Sequence, residues 1–164
     1  MKVQGLRFET KYGCIREMTD QDLYFLSHDM IEEDQEYCHR EGYGTNYMKA
    51  IVSHVFNSSF CFSVQDISGP LRFSLGFIPD AKEEGTCSMW VFSTNKLRDI
   101  EDPIASMRAL SLLKQLMDFI NNIYPVIKAS IDIKNKTGRR RLNFAGFEMF
   151  DMDENIAYYK RTIQ

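Results

Sequence analysis

The chain has 164 residues, 44% of them hydrophobic and 26% charged, which is the make-up of an ordinary folded domain and excludes a disordered or collagen-like chain. Its formal net charge of -3 argues against a general nucleic-acid binder, whose affinity comes largely from phosphate neutralisation. No apolar run is long enough to cross a bilayer, and the opening MKVQGLRFETKYG lacks the apolar stretch of a signal peptide, so the chain is expected to stay in a reducing cytosol.

In chain order, GCIREM (13–18) reads as a short opening strand. TDQDLYFLSHDM starts with helix-entry residues, Thr19 or Asp20 as cap and Asp22 in the first turn, and Leu23, Leu26 and Met30 then share one face. EEDQEYCHREG forms a second helical region ended by Gly42. TNYMKAIVSHVFNSS carries a further helical stripe through Met48, Ile51, Val52 and Val55. The period then falls to two: SFCFSVQD alternates through Phe60, Phe62 and Val64, DISGP interrupts, and LRFSLGFIPD resumes, which predicts a hairpin. After the charged loop DAKEEG, TCSMWVFST (86–94) adds a third strand.

DPIASMRALSLLKQLMDFINNI reads as a long helix with Asp102 as cap, Pro103 at its first position, and a buried stripe of Leu110, Leu113, Met117 and Ile120. PVIKASIDI is a strand, KTGRRRLNFA a short helix, and FEMFDM with IAYYKRTI the closing pair. Condensed, the order is strand, two helices, antiparallel meander, long helix, strand, short helix and hairpin: an α+β chain with a mixed sheet. The strand after the long helix should lie parallel to the strand before it, because a helical crossover joins them. Without repeat or linker, 1–164 reads as one domain.

Twelve Phe and eight Tyr against one Trp predict a core of packed rings, Trp90 included. Cys14, Cys38, Cys61 and Cys87 form no C-x-x-C pair and read as buried thiols. His28, Cys38, His39 and His54 are too loosely scattered to imply a metal site, and none is expected.

The stretch IDIKNKTGRRRLNFAGFEMF closes a strand on Asn135 and opens the next with Gly146-Phe147. With the element order from about residue 13 onward, it resembles the GCN5-related N-acetyltransferase (GNAT) fold. That resemblance implies a mixed, mostly antiparallel sheet with a central parallel splayed pair, flanked by helices. EEDQEYCHREG, LGFIPD, MWVFSTNKLRD, YPVI and Asn135…Ala145-Gly146-Phe147 together are similar to a narrower family, the internal virion protein A of short-tailed bacteriophages. This second resemblance implies a role in virion assembly or injection, a virion or host protein as partner, and the host cytoplasm or the virion as location.

The GNAT resemblance also implies acetyl-CoA, held in two ways. Backbone groups of the strand before the long helix, here Trp90, Val91, Phe92 and Ser93, pair with the pantetheine arm. A glycine-rich turn then wraps the pyrophosphate at a helix start, where free amides favour an anion. The matching STNKLRDIEDPIASM contains no glycine, places Asp99, Glu101 and Asp102 where the pyrophosphate would sit, and loses an amide at Pro103. Lys96 and Arg98 offset this in part, and Asn135 and Arg139 complete the cofactor-side candidates. The cofactor is therefore none or acetyl-CoA.

Many GNAT enzymes carry a general-acid Tyr seven residues after that Asn; here the position is Leu142, which cannot donate a proton. Tyr158 and Tyr159 are the nearest phenols, and Glu83 the candidate base beside Glu84 and His54, each with a plainer reading as loop charge or helix histidine. Arg139, Arg140 and Arg141 with Lys134 and Lys136 form the most basic stretch. They read as a solvated helix over Leu142 and Phe144, or as contacts to a CoA 3′-phosphate, an acidic protein patch or nucleic acid. The acidic IEEDQE (31–36) faces solvent, a basic partner or a substrate amine.

Two functions of different class follow. One is a phage-encoded GNAT-like domain that has lost acyl transfer and binds a virion or host protein, favoured by the missing glycines and Leu142. The alternative is an active N-acetyltransferase acting on a protein or small amine. A membrane partner is not expected. Nucleic-acid binding through the arginine stretch would be steeply salt-dependent, and the acidic balance speaks against it.

Overall fold

The alternating and helical stretches become eight strands and five helices among the residues described by the computed structural model, which are 5–11, 13–66, 69–99 and 103–163, the side chains of 66, 98–99 and 103–109 excepted. The first half runs β1 (Arg7–Thr10), β2 (Gly13–Glu17), α1 (Asp20–His28), α2 (Glu32–Arg40), α3 (Tyr47–Asn57), β3 (Phe60–Asp66) and β4 (Leu71–Pro79). The second runs β5 (Thr86–Ser93), a 3-10 turn (Asn95–Asp99), α4 (Pro103–Asn121), β6 (Val126–Asp132), α5 (Lys136–Phe144), β7 (Glu148–Met152) and β8 (Ile156–Thr162). One sheet results, ordered β1-β2-β3-β4-β5-β6-β8-β7, antiparallel throughout except for the parallel pair β5–β6.

The α+β architecture and the parallel pair agree with the sequence. Three corrections arise. β1 was not expected; its four residues alternate between exposed and half-buried as they pair with β2, too short a run to stand out. Three helices separate β2 from β3, one for each of the three helical stretches read from the sequence, where the condensed order counted two. The apolar stripes are also displaced. α4 buries Leu112, Leu116, Met117 and Ile120, with Leu110 and Leu113 only half-buried, and α3 buries Ala50 and Ile51 while Met48 and Val52 face outward. On α3 a small residue, Ala50, sits against its neighbours, so a search for large apolar side chains misplaces the buried face. Asp102, the expected cap of α4, lies outside the described residues.

The core has two parts. Phe62, Leu75, Phe77, Ile127 and Phe147 pack with α4, and Trp90 and Phe92 pack with Leu26 of α1, Cys38 of α2 and Ile51 of α3. Cys14, Cys38 and Cys87 are buried thiols as expected, and Cys61 is half-buried. Gly76 pairs across from Trp90, and a Cβ there would overlap the indole, whose Nε1–H donates to Ser58 Oγ at 2.8 Å. Gly76→Ala is therefore expected to cost about 1–3 kcal/mol in urea unfolding, the range for overpacking a core. An unchanged midpoint would mean that the indole moves freely.

α5 ends as the sequence predicts. Gly146 adopts φ 88, its N–H donates to Asn143 C=O, and Phe147 N–H donates to Leu142 C=O at 3.0 Å, a Schellman closure. Phe147 then re-enters the core at 2% exposure.

Candidate functional site

β5 and β6 run together only from Thr86–Ser88 against Val126–Lys128 and then part. Val126 N–H donates to Gly85 C=O at 3.1 Å, so odd-numbered residues of this stretch turn their backbone groups toward β6. Even-numbered residues turn toward β4, as Thr94 N–H to Arg72 C=O at 2.9 Å attests. Of the four strand residues named from sequence, Trp90 and Phe92 thus spend their backbone groups on Gly76 and Ser74, while Val91 and Ser93 face the opening. The opening is a cleft of about 940 Å³, floored by Met89, Leu113 and Met117, walled by α2 and bordered by the start of α5.

Ser93 is already engaged. Its N–H donates to Asp34 Oδ2 at 2.6 Å, and its C=O accepts from Ile31 N–H at 3.0 Å. With the Met30–Thr94 bridge and Asn95 N–H on Asp29 C=O, the chain entering α2 lies along the far half of β5 like a short strand. Burial pushes the Asp34 carboxyl up to about 7 against the lowering pull of the Ser93 amide, and the neighbouring Glu33 charge adds to the rise. Sequence reasoning noted the acidic run but nothing in IEEDQE separates Asp34 from its neighbours.

Asn135 and Tyr158 also line the cleft. Asn135 Oδ1 accepts from Gly138 N–H at 2.8 Å, so it caps α5. Tyr158 donates its hydroxyl to Asp153 Oδ2 at 2.9 Å, and that bond raises its pKa, a change that weakens it as an acid. The structure places the remaining candidates elsewhere. Glu83 pairs with Lys128 Nζ at 2.5 Å in the loop before β5, at the end of the strand opposite the opening. Tyr159 is buried and its hydroxyl accepts from Arg139 Nε at 3.1 Å; Arg139 also donates to Ile133 C=O. His54 donates from Nδ1 to Ala50 C=O at 2.7 Å, leaving Nε2 to accept from Tyr37, whose phenol burial pushes up to about 12. Lys96 is exposed outside the cleft lining. The side chains of Arg98 and Asp99, and Glu101 and Asp102 entirely, lie outside the described residues. Among the described residues no three His, Cys, Asp or Glu side chains converge on a metal position, and no helix is long and apolar enough to cross a membrane.

No protein-family model matches the chain, and no curated protein matches it. Solved structures do. The spermidine N-acetyltransferase of Vibrio cholerae, in complex with CoA and spermine, superposes with a TM-score of 0.65 at 12% identity over 93% of this chain and 96% of its own. A GNAT-family acetyltransferase from Bacillus anthracis gives 0.64 at 16% identity over 96% and 98%. The ribosomal-protein-S5-alanine acetyltransferase of Vibrio fischeri gives 0.63 at 11% over 96% of each. This is the GNAT fold. At such identities the likeness concerns architecture, and the chemistry has to be argued from this chain's own residues.

Acetyl-CoA, which a GNAT fold implies, meets a poor fit here. Along the splayed strand only the edge at Val91 stays open, because Asp34 and Ile31 hold the edge at Ser93. In the turn that follows, Asn95 N–H donates to Asp29 C=O and Leu97 N–H to Thr94 C=O at 3.0 Å, while Lys96 C=O accepts from Arg72. Two amides of this turn are thus turned to protein carbonyls, and the matching segment 93–107 contains no glycine. Leu142 packs against the core at the position where the resemblance would put a tyrosine. Among the described residues, the Ser93, Asn95 and Leu97 amides are already taken, a poor match to the cofactor's needs on both sides of the turn.

Proposed function

We propose that this chain is a GNAT-like domain that has lost acyl transfer and acts by binding another protein. The observation that carries this reading is the Asp34 carboxylate on the Ser93 amide, which fills from within the edge where a pantetheine arm would pair. The loss of a general acid at Leu142 and the engagement of the Tyr158 hydroxyl by Asp153 agree with it. The setting comes from the sequence resemblance to the internal virion protein A family: a virion or host protein as partner, met in the cytoplasm of an infected cell or in the virion.

An active acetyl-CoA-dependent N-acetyltransferase, modifying a protein or small amine, is the second reading. It is favoured by the size of the cleft and by Glu33 and Glu36 of α2 and Glu41 at its C-terminal cap, an acidic lining suited to an amine. Calorimetric titration with acetyl-CoA and with CoA separates the two. No heat and an unchanged melting temperature are expected; micromolar binding of either would favour the enzyme.

A further inference from the structure

One cation in the cleft is unanswered. Arg141, on α5, is half-buried and lines the cleft, yet among the described residues no carboxylate, carbonyl or ring is in reach of its guanidinium. Its neighbours differ: Arg139 is tied to Tyr159 and the Ile133 carbonyl, and Arg140 is exposed outside the cleft lining. Burial pushes the Arg141 pKa below its ordinary value. A guanidinium held partly out of water without a counter-charge is costly, and an arriving anion recovers that cost through paired, charge-assisted bonds. The cleft is therefore built to receive a carboxylate or a similar anion at this point.

A second, independent feature says what carries the anion. Beyond the last rung at Ser88 and Lys128, the backbone groups of Val91 on β5 and, by the same alternation, of Ser130 on β6 face each other across the gap. Two open strand edges over an apolar floor of Met89, Leu113 and Met117 suit an extended chain, which pairs by its main chain and presents alternate side chains downward. The charges orient it. Arg141, Lys134 and Lys136 lie with Asp132 on the β6–α5 side, and Glu36 and Glu41 with Arg40 on the α2 side. Arg40 and Asp132 answer each other at 3.5 Å, so it is Arg141 that fixes where an acidic residue belongs, toward α5.

We infer that the cleft is a docking groove for an extended segment of another protein, paired through its main chain to Val91, with one Asp or Glu side chain seated on Arg141. This rests on the reading that the slot no longer holds acetyl-CoA. The test is selection of a randomised heptapeptide library, blocked at both ends, against the full chain. The expected result is a consensus with an acid fixed at one position, whose peptide binds Arg141→Gln about tenfold or more weaker and Arg140→Gln as it binds the unaltered protein. Because no described partner is lost and the desolvated charge is removed, its glutamine variant should melt no lower than the parent. Failure to retain any peptide, a consensus without an acid, or one indifferent to Arg141→Gln overturns the inference. So does selection only from a library with free C-terminal carboxylates, which would assign the anion to a chain end. If acetyl-CoA binds, the prior reading falls; if neither acetyl-CoA nor peptide binds, only the docking groove does.

Discussion

Asp22→Ala is expected to lower stability by about 3 kcal/mol in urea unfolding at neutral pH, the lower end of the cost of breaking a buried ion pair from one side. Asp22 is 2% exposed and serves four donors. Its Oδ2 accepts from Arg16 Nη1 at 2.7 Å, from the Thr19 amide at 2.8 Å and from Ser63 Oγ at 2.8 Å, and its Oδ1 from Arg16 Nη2 at 2.9 Å. Ser63 is bonded in turn to Ser74 Oγ at 2.7 Å, and Arg16 to Gln65 Oε1, so one carboxylate ties α1 to β2, β3 and β4. Removing it strands the Arg16 guanidinium, whose side chain keeps 22% exposure and can partly rehydrate; hence the lower figure.

The pH dependence has a definite sign. Burial alone would raise the Asp22 pKa, but the bonds from Arg16, Thr19 and Ser63 outweigh it and the net shift is downward. A carboxylate with a depressed folded pKa gives stability that is present above its unfolded value, near 4, and lost as pH falls through the folded value. Asp22→Ala should therefore differ most from the parent at neutral pH and least in acid. A constant difference across that window would contradict the assignment.

Asp34→Asn is expected to act in the opposite direction, stabilising the protein above pH 7 by up to about 4 kcal/mol, which is what the gap between an ordinary carboxylate and about 7 corresponds to. A folded pKa raised above the unfolded one means that the folded chain binds the extra proton, so this group's contribution declines as pH rises from about 4 to 7. Asparagine has no charge to desolvate and keeps an acceptor for the Ser93 N–H. The gain should fade on acidification, as Asp34 itself becomes neutral. An Asp34→Asn protein no more stable than its parent above pH 7 would show that the carboxylate is better hydrated than its packing implies.

Much of the architecture was legible because its signals are local. The alternation in β3, β4 and β5, the Pro103 start of α4 and the Gly146-Phe147 closure each depend on a few neighbouring residues. The cleft was legible only in outline. That the backbone groups of Val91 and Ser93 turn to it, while those of Trp90 and Phe92 pair with β4, follows from the pairing parity of three strands, which no single segment encodes. Asp34 was hidden for a similar reason: its partner is 59 residues away in sequence, and the run around it is uniformly acidic. Among three consecutive arginines, only the packing of α5 distinguishes the one tied to Tyr159 from the one left facing the cleft.

The most direct test of whether the slot still takes acetyl-CoA is the amide spectrum of the 15N-labelled protein during its addition to millimolar concentration. Val91 reports the open edge and Ser93 the edge held by Asp34. Both resonances are expected to stay in place throughout, with Ser93 shifted downfield from the start by its carboxylate acceptor. Saturable movement of both amides would mean that the pantetheine arm displaces Asp34, and the protein would then have to be treated as a working acetyltransferase.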